Sequence, residues 1–409
     1  MALSRRVPVA LAALSTAALL TACLAPAGDA PSGGNTTGTT DGGGDGTDPI
    51  RIGVVMARSG FMGPIDTPAL QAMELYAEQL NEEGGIDGRQ VVLDVVDTGT
   101  NLDRYASAAT EVIGRGANVL VTTCDYDVSS PAALVAESSN IVSFAPCIGD
   151  PIYGPDGGLP HGFSMGNGTP GEASVMAEYA FAQGWTTAFT LTDTTLKYTQ
   201  NQCEIFTKRY EELGGSIVGS ASYQQGDSVR ETVSRMASGA APGVVVNCGY
   251  SPGGATAAKE IRDGGISAPI ISGFGMDGDF WTSGMPGLAD YYIVTYGAIN
   301  GDDPVAEVNE FADKYEERYG ERPSVSSFTT GPSVLQAIKI AYEKTGTFDA
   351  AAMTAEIESF TDEELLVGPT KFSADLHINV ERPQRVLRVQ DGKLAFVEER
   401  AAEKVVFTE

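Results

Sequence analysis

Two kinds of apolar pattern alternate along this chain. Short, almost continuous apolar runs are followed by segments whose apolar residues recur at three- and four-residue steps. Ile50-Arg-Ile-Gly-Val-Val-Met-Ala57 is of the first kind, the composition a strand needs when helices cover both of its faces. Leu70, Met73, Ala77 and Leu80 then form one stripe of an amphipathic helix, and Gly84-Gly85 supplies the left-handed residue that closes it. The chain returns as a strand over 89–97. The same pattern predicts a helix over 101–115, a strand over 118–123, a short helix over 131–138 and a strand over 141–145. A Gly/Pro-rich stretch, 150–160, interrupts the alternation.

A fresh helix is predicted at Thr169-Pro170, with Thr at the N-cap and Pro in the first turn, and the alternation restarts. Strands are expected over 187–192, 243–247 and 268–272, with helices stopping at Gly214-Gly215 and Gly264-Gly265. A return strand from 293, long helices over 305–319 and 332–344, and short strands between 365 and 407 complete the chain. Regular β/α alternation in two stretches predicts doubly wound α/β lobes. About 360 folded residues also exceed what one core usually supports. In such sheets ligands sit beyond the carboxyl ends of the strands, which makes the exit loops the candidate site: 57–64 first, then 124–127, 147–150, 193–201, 248–251 and 273–277.

The N-terminus changes the picture. Arg5 and Arg6 precede an apolar run from Val7 to Leu20, a positive head and a short core of the secretory kind. Leu20-Thr-Ala-Cys23 resembles a bacterial lipobox, which implies a signal peptide over 1–22 and lipidation of Cys23; a signal peptide cut elsewhere is the alternative. Residues 24–48 are Gly-rich and lack aromatic, Lys and Arg residues, so they bury too little to offset the entropy of folding and are expected to act as a tether of about 25–30 Å reach.

The full chain carries 26 basic and 54 acidic residues, a formal net charge of −28; loss of Arg5 and Arg6 with the signal peptide makes the remainder more negative still. Such a surface repels phosphate backbones and anionic headgroups, which argues against nucleic acid and against a polybasic membrane mode. Four cysteines remain after Cys23: Cys124, Cys147, Cys203 and Cys248. They allow three pairings in an exported protein. Cys124 with Cys147 and Cys203 with Cys248 is favoured, because each pair would join loops at the carboxyl ends of neighbouring strands; reduced, buried thiols remain the alternative. With no C-x-x-C spacing and only His161 and His377 as imidazoles, no metal is expected.

Several stretches together resemble the Leu/Ile/Val-binding type of solute-binding protein of ABC importers, over nearly all of 50–395. They are the first strand with its Ser59-Gly60 loop, Leu80-Asn-Glu-Glu-Gly-Gly-Ile-Asp-Gly-Arg89, Ala145-Pro146, Asn247-Cys-Gly-Tyr250 and Val367-Gly-Pro-Thr-Lys-Phe372. The resemblance implies a type I periplasmic-binding fold: two doubly wound parallel-sheet α/β lobes joined by three crossovers and closing on a ligand by hinge motion. It implies lobe one over 49–165 plus 298–373 and lobe two over 166–297 plus 374–409, with crossovers near 163–168, 295–300 and 372–379. It also implies ABC permease subunits as partners, a monomeric extracytoplasmic receptor held to the membrane by its lipid alone, and no cofactor.

In that family small hydroxyl residues of lobe one grip the ligand's α-carboxylate and ammonium, together with an acid and a Tyr from lobe two. The corresponding lobe-one positions here fall near Asp125-Tyr126 and at Cys147, Ile148 and Gly149, where the expected Ser and Thr are absent. Tyr198, Tyr250 and Asp277 match the lobe-two roles. A closing cleft needs aromatic faces to exclude water and polar groups to orient the ligand. Phe61, Tyr126, Tyr198, Tyr250 and Phe274 can supply faces; Arg58, beside Ser59, can pair with a carboxylate; Asp125, Asp127 and Asp277 can hold an amine or amide. The expected function is capture of a small polar solute, an amino acid or amide-like compound, without covalent chemistry.

Two other readings compete. A sensor that presents its ligand to a signalling receptor shares these features. Gly162-Phe-Ser-Met-Gly166 satisfies G-x-S-x-G, with His377 downstream, which makes a serine hydrolase using Ser164 a lesser alternative; its elbow needs a strand directly before the Ser and a helix directly after it. Gly273-Phe-Gly-Met-Asp-Gly278 matches G-x-G-x-x-G by letters only, since no clear helix follows.

Overall fold

The apolar run at 50–56 forms the first strand, β1 (Ile50–Met56), and six of its seven residues are buried. The computed structural model describes residues 48–408 other than Pro286, so the signal peptide, Cys23 and nearly all of the tether lie outside the described residues. The chain continues through α1 (Gly63–Glu82), β2 (Val91–Asp97), α2 (Tyr105–Gly114), β3 (Val119–Thr122), α3 (Tyr126–Ser138), β4 (Ser143–Ala145) and β5 (Gly162–Asn167). Leu70, Met73, Ala77 and Leu80, the stripe of α1, are all buried. Gly85 ends that helix at φ 81°, a left-handed turn that glycine adopts without steric cost.

A second series then runs through α4 (Thr169–Ala182), β6 (Thr187–Asp193), α5 (Lys197–Glu212), β7 (Ser216–Tyr223), α6 (Arg230–Ser238), β8 (Val244–Cys248), α7 (Gly253–Asp263), β9 (Ile270–Ser272) and β10 (Tyr291–Thr295). The chain goes back to the first sheet with α8 (Ala306–Tyr319), α9 (Thr330–Thr345), α10 (Ala350–Glu358), a small hairpin of β11 (Glu363–Leu365) and β12 (Gly368–Thr370), and β13 (Ile378–Asn379). It ends in the second sheet as β14 (Gln384–Gln390) and β15 (Lys393–Arg400).

The first sheet has the order β13-β5-β4-β3-β1-β2, and every pairing in it is parallel. The second has the order β15-β14-β10-β9-β8-β6-β7. It is parallel from β7 to β10, but β14 pairs antiparallel with β10, and β15 with β14. The second lobe is therefore mixed rather than wholly parallel, because after the last crossover the chain finishes as a hairpin and needs no covering helix. One buried cluster packs α1, α2, α9 and α10 onto the first sheet; two others cover the faces of the second.

Three segments connect the sheets, between β5 and α4, between β10 and α8, and between β13 and β14. Two boundaries differ from expectation. β5 continues to Asn167, and the third passage follows Asn379 because Ile378 and Asn379 pair with β5 in the first sheet. Arg382, in that last segment, is fully buried. Its guanidinium donates to the carbonyls of Met165 (2.9 Å) and Pro369 (3.1 Å), to Asn167 Oδ1 (2.9 Å) and to Thr370 Oγ1 (2.9 Å). Arg385 pairs with buried Asp303 of the second segment at 3.1 Å.

The structure forms both favoured disulfides, Cys124–Cys147 with Cα atoms 4.6 Å apart and Cys203–Cys248 with 5.7 Å. Cys203 lies within α5 rather than in a loop, so the second bridge staples a helix to the end of β8. Replacing both Cys203 and Cys248 by Ser should lower unfolding free energy in urea by about 2–4 kcal/mol, as loss of a 45-residue loop constraint implies.

Candidate functional site

Asp66, in the first turn of α1, is fully buried beneath the exits of β1 and β3. It accepts from the Ala57 amide (2.9 Å), Thr123 Oγ1 (2.9 Å) and the Cys124 amide (3.0 Å). Burial pushes its carboxyl up to about 7 despite these donors. The two exits are thereby locked to one helix end, and the Cys124–Cys147 bridge adds the exit of β4. Asp125 is the N-cap of α3, its carboxylate accepting from the Val128 amide at 3.2 Å. With that cap the helix starts at Tyr126, ahead of Pro131 where the sequence pattern placed it, so Tyr126 and Asp127 stand on a helix turn and not in a loop.

In the second lobe Glu172 of α4 is the anchor. It accepts from Tyr198 Oη (2.8 Å), Gln202 Nε2 (2.5 Å) and the Phe274 amide (3.1 Å). Burial raises its carboxyl to about 7. The Gly275 amide donates in turn to Tyr198 Oη at 3.2 Å. The segments following two strands of the second sheet, β6 and β9, thus converge on one buried acid. Sequence reading passes over Glu172, since nothing local marks it; α4 starts one residue earlier than expected, with Gly168 and not Thr169 at the N-cap, and Glu172 in its first turn is buried.

Between these two walls lies a narrow cavity of about 40 Å³, lined by strand exits of both sheets. The first lobe contributes Met62, Ile65 and the segments 124–127 and 147–150; the second contributes Leu196–Tyr198, Tyr250, Phe274 and Gly275. The walls touch around it. The Lys197 amide donates to Asp127 (2.8 Å), Asn201 Nδ2 to Asp150 (3.1 Å), Tyr296 Oη to the Cys147 carbonyl (3.3 Å) and the Thr169 amide to the Gly149 carbonyl (2.7 Å). A Cβ on Gly149 would meet the Tyr198 ring at 3.3 Å and press still closer on Thr169 Oγ1, so glycine permits this approach.

The structure brings together Asp125, Tyr126, Cys147, Gly149, Tyr198 and Tyr250, with Asp127 and Phe274. Phe61 does not line the cavity; it borders a separate depression with Pro64 and Trp281, its ring 6.0 Å from that of Tyr250. Three further expected residues lie elsewhere. Arg58 pairs with Glu74 at 2.5 Å and, with Ser59, borders a separate depression beside Arg322. The β1 exit bends at Gly60 (φ 78°) and presents Met62 and Ile65 to the cavity in their place. Asp277 is buried behind the site, where it accepts from Thr295 Oγ1 (2.9 Å) and from the amide (2.9 Å) and hydroxyl of Ser326. It ties the second sheet to the turn before α9 instead of facing a ligand.

A family model for periplasmic binding proteins matches residues 49–393. The chain belongs to the periplasmic binding protein family. Among its relatives, the Leu/Ile/Val-binding protein homolog 3 of Brucella melitensis is 23% identical over 330 residues, covering 79% of this chain and 87% of that protein. The Leu/Ile/Val-binding protein BraC3 of Rhizobium johnstonii is 21% identical, covering 75% and 82%. The fold is similar to that of the branched-chain amino acid transporter substrate-binding protein LivJ from Streptococcus pneumoniae in complex with isoleucine, with a TM-score of 0.76 at 20% identity over 86% of this chain and 99% of that one. It is also similar to a solute-binding protein of an ABC transporter from R. palustris in complex with benzoate, with a TM-score of 0.73 at 20% identity over 88% and 98%. Membership indicates an extracytoplasmic location, and among the described residues no helix is long and apolar enough to cross a membrane.

In this periplasmic binding protein Ser164 lies inside β5, fully buried, and donates to the Ile148 carbonyl at 2.6 Å. A strand, not the expected loop, precedes it, yet the hydroxyl faces backbone and no cleft. His377 is also buried and engages the Gly162 carbonyl (2.9 Å) and Glu358 (3.1 Å), not Ser164 Oγ. The Gly273–Gly278 stretch forms a single 3-10 turn over Phe274–Met276.

Asp66, Asp125 and Glu172 are raised to about 7 and Asp277 to about 6, each chiefly by burial. Their folded values exceed unfolded ones near 4, so between about pH 4 and 7 the native state holds more protons. Stability from these groups is therefore complete below about pH 4 and is lost as pH rises through 6 to 7. The unliganded protein should melt a few degrees higher at about pH 5.5 than at about pH 8 in differential scanning calorimetry, and Glu172→Gln should flatten that slope.

Proposed function

We propose that this chain is the extracytoplasmic solute-binding component of an ABC importer, lipid-anchored through Cys23, monomeric, and free of covalent chemistry. It captures a small solute between its two lobes and delivers it to a permease. The observation that carries this reading is the cavity between the carboxyl ends of two separate sheets, whose walls meet through hydrogen bonds that separating the lobes would break. The passages at 167–169, 296–305 and 380–383 act as the hinge, with Arg382 and the Asp277–Ser326 contact as its fixed points. Lobe one then comprises 49–167 with 306–379, and lobe two 168–295 with 384–408.

Tyr250 is 6% exposed and carries no side-chain tie comparable to that of Tyr198, so it is free to pack on a ligand. The test is a thermal-shift and calorimetric screen of amino acids, amides, amines and aromatic acids, since a ligand that binds only the native state raises the melting temperature by mass action. At least one compound should shift it, and silence across the panel would count against capture. For that compound Tyr250→Ala should weaken binding about tenfold or more with the unliganded melting temperature little changed. Asp277→Ala should do the reverse, lowering melting temperature by several degrees through loss of a buried polar joint. Gly149→Ala should weaken binding about tenfold by holding the lobes apart.

A further inference from the structure

In a zwitterionic α-amino acid the carboxylate must find donors. Helix N-termini are the usual source, because their first amides are unpaired and their dipoles favour an anion. Two long helices begin at this cavity, and in both the protein's own acids occupy that end. Asp125 caps α3, accepting from Val128, and the Asp127 amide is also directed at its carboxylate. Asp127, from across the cleft, accepts from Lys197, the first residue of α5, at 2.8 Å.

Among the described residues no arginine lines the cavity, and Arg58 is paired to Glu74 outside it. Lys197 is the one cationic side chain among the lining residues; it is exposed, and its ammonium acts on Asp150. Three carboxylates, Asp125, Asp127 and Asp150, thus face one ammonium. The rest of the wall is Tyr126, Tyr198, Tyr250 and Phe274 with the Cys124–Cys147 bridge, Met62, Ile65 and Leu196. Aromatic faces beside a carboxylate attract a cation with an apolar body, through the ring quadrupole and the charge together. They repel a second carboxylate.

We propose that the solute is a carboxylate-free organic ammonium ion, a compact amine with an apolar or aromatic body, whose nitrogen sits against Asp125 between the tyrosine rings. This rests on the capture reading above and adds the ligand's chemical class to it. Asp125 sets the preference: it fills the place at the head of α3 that an amino acid's carboxylate would take, and it lines the cavity.

Matched pairs that differ only by the carboxylate test it: phenethylamine against phenylalanine, tyramine against tyrosine, isoamylamine against leucine, by isothermal calorimetry on the lipid-free mature chain. In at least one pair the amine should bind tenfold or more tighter than its parent. Asp125→Asn, which keeps an N-cap acceptor for Val128, should then reduce amine affinity about tenfold and collapse the amine-to-amino-acid ratio with little change in the unliganded melting temperature. Equal or tighter binding of the amino acid would overturn the proposal, as would a ratio unchanged in the variant. If the amines fail while leucine, benzoate or another carboxylate from the wider panel binds, the cation reading falls and capture stands. If nothing in the panel binds, both fall.

Discussion

Arg382 is a guanidinium buried among carbonyls, an amide oxygen and a hydroxyl, with no carboxylate bonded to it among the described residues. Burial lowers its pKa to about 9, so it remains charged at neutral pH at the cost of desolvation, and only a full set of acceptors makes that tolerable. Those acceptors come from the end of β5, where the first passage begins, and from the β12 hairpin. One side chain of the third passage therefore fixes the first passage and the hairpin at once. The connections between the two sheets are held by this joint and by the Asp303–Arg385 pair.

Given that joint, the site follows from how each lobe disposes of a buried acid. Asp66 gathers the exits of β1 and β3 through two backbone amides and a hydroxyl, and Glu172 gathers those following β6 and β9 through one backbone amide, a hydroxyl and the Gln202 side-chain amide. A carboxylate with several donors organises loops well because every donor fixes a separate segment. The residues left facing the gap, chiefly aromatic rings and the Cys124–Cys147 bridge, are free of structural bonds on that side and available to a solute. Rigid walls on either side of a gap suit the solute capture proposed above.

Much of the fold was legible in the residues. The β1 run, the α1 stripe and the Gly-Gly stops read correctly because burial on both sides of a parallel strand and on one side of a helix leaves a local pattern. The start of α3 was not, since Pro131 looked like a boundary and the cap at Asp125 acts through one side-chain bond. Of the site, the tyrosines and Asp125 could be anticipated as polar or aromatic residues at strand exits. Arg58 and Asp277 satisfied the same rule and lie elsewhere, one turned outward to Glu74 and the other inward to Ser326.

The sequence by itself determined the alternation of strand and helix, the two repeating stretches, the strand exits as the place for a site, and the exported, acidic character of the chain. Those properties depend on neighbours a few residues apart or on composition. Which exits face one another, where the chain last passes between the sheets, that the second sheet turns antiparallel at its edge, and which acids are buried as anchors were decided only by the tertiary structure. Each depends on contacts between residues as far apart as Met165 and Arg382 or Glu172 and Phe274, and no local pattern encodes such distances.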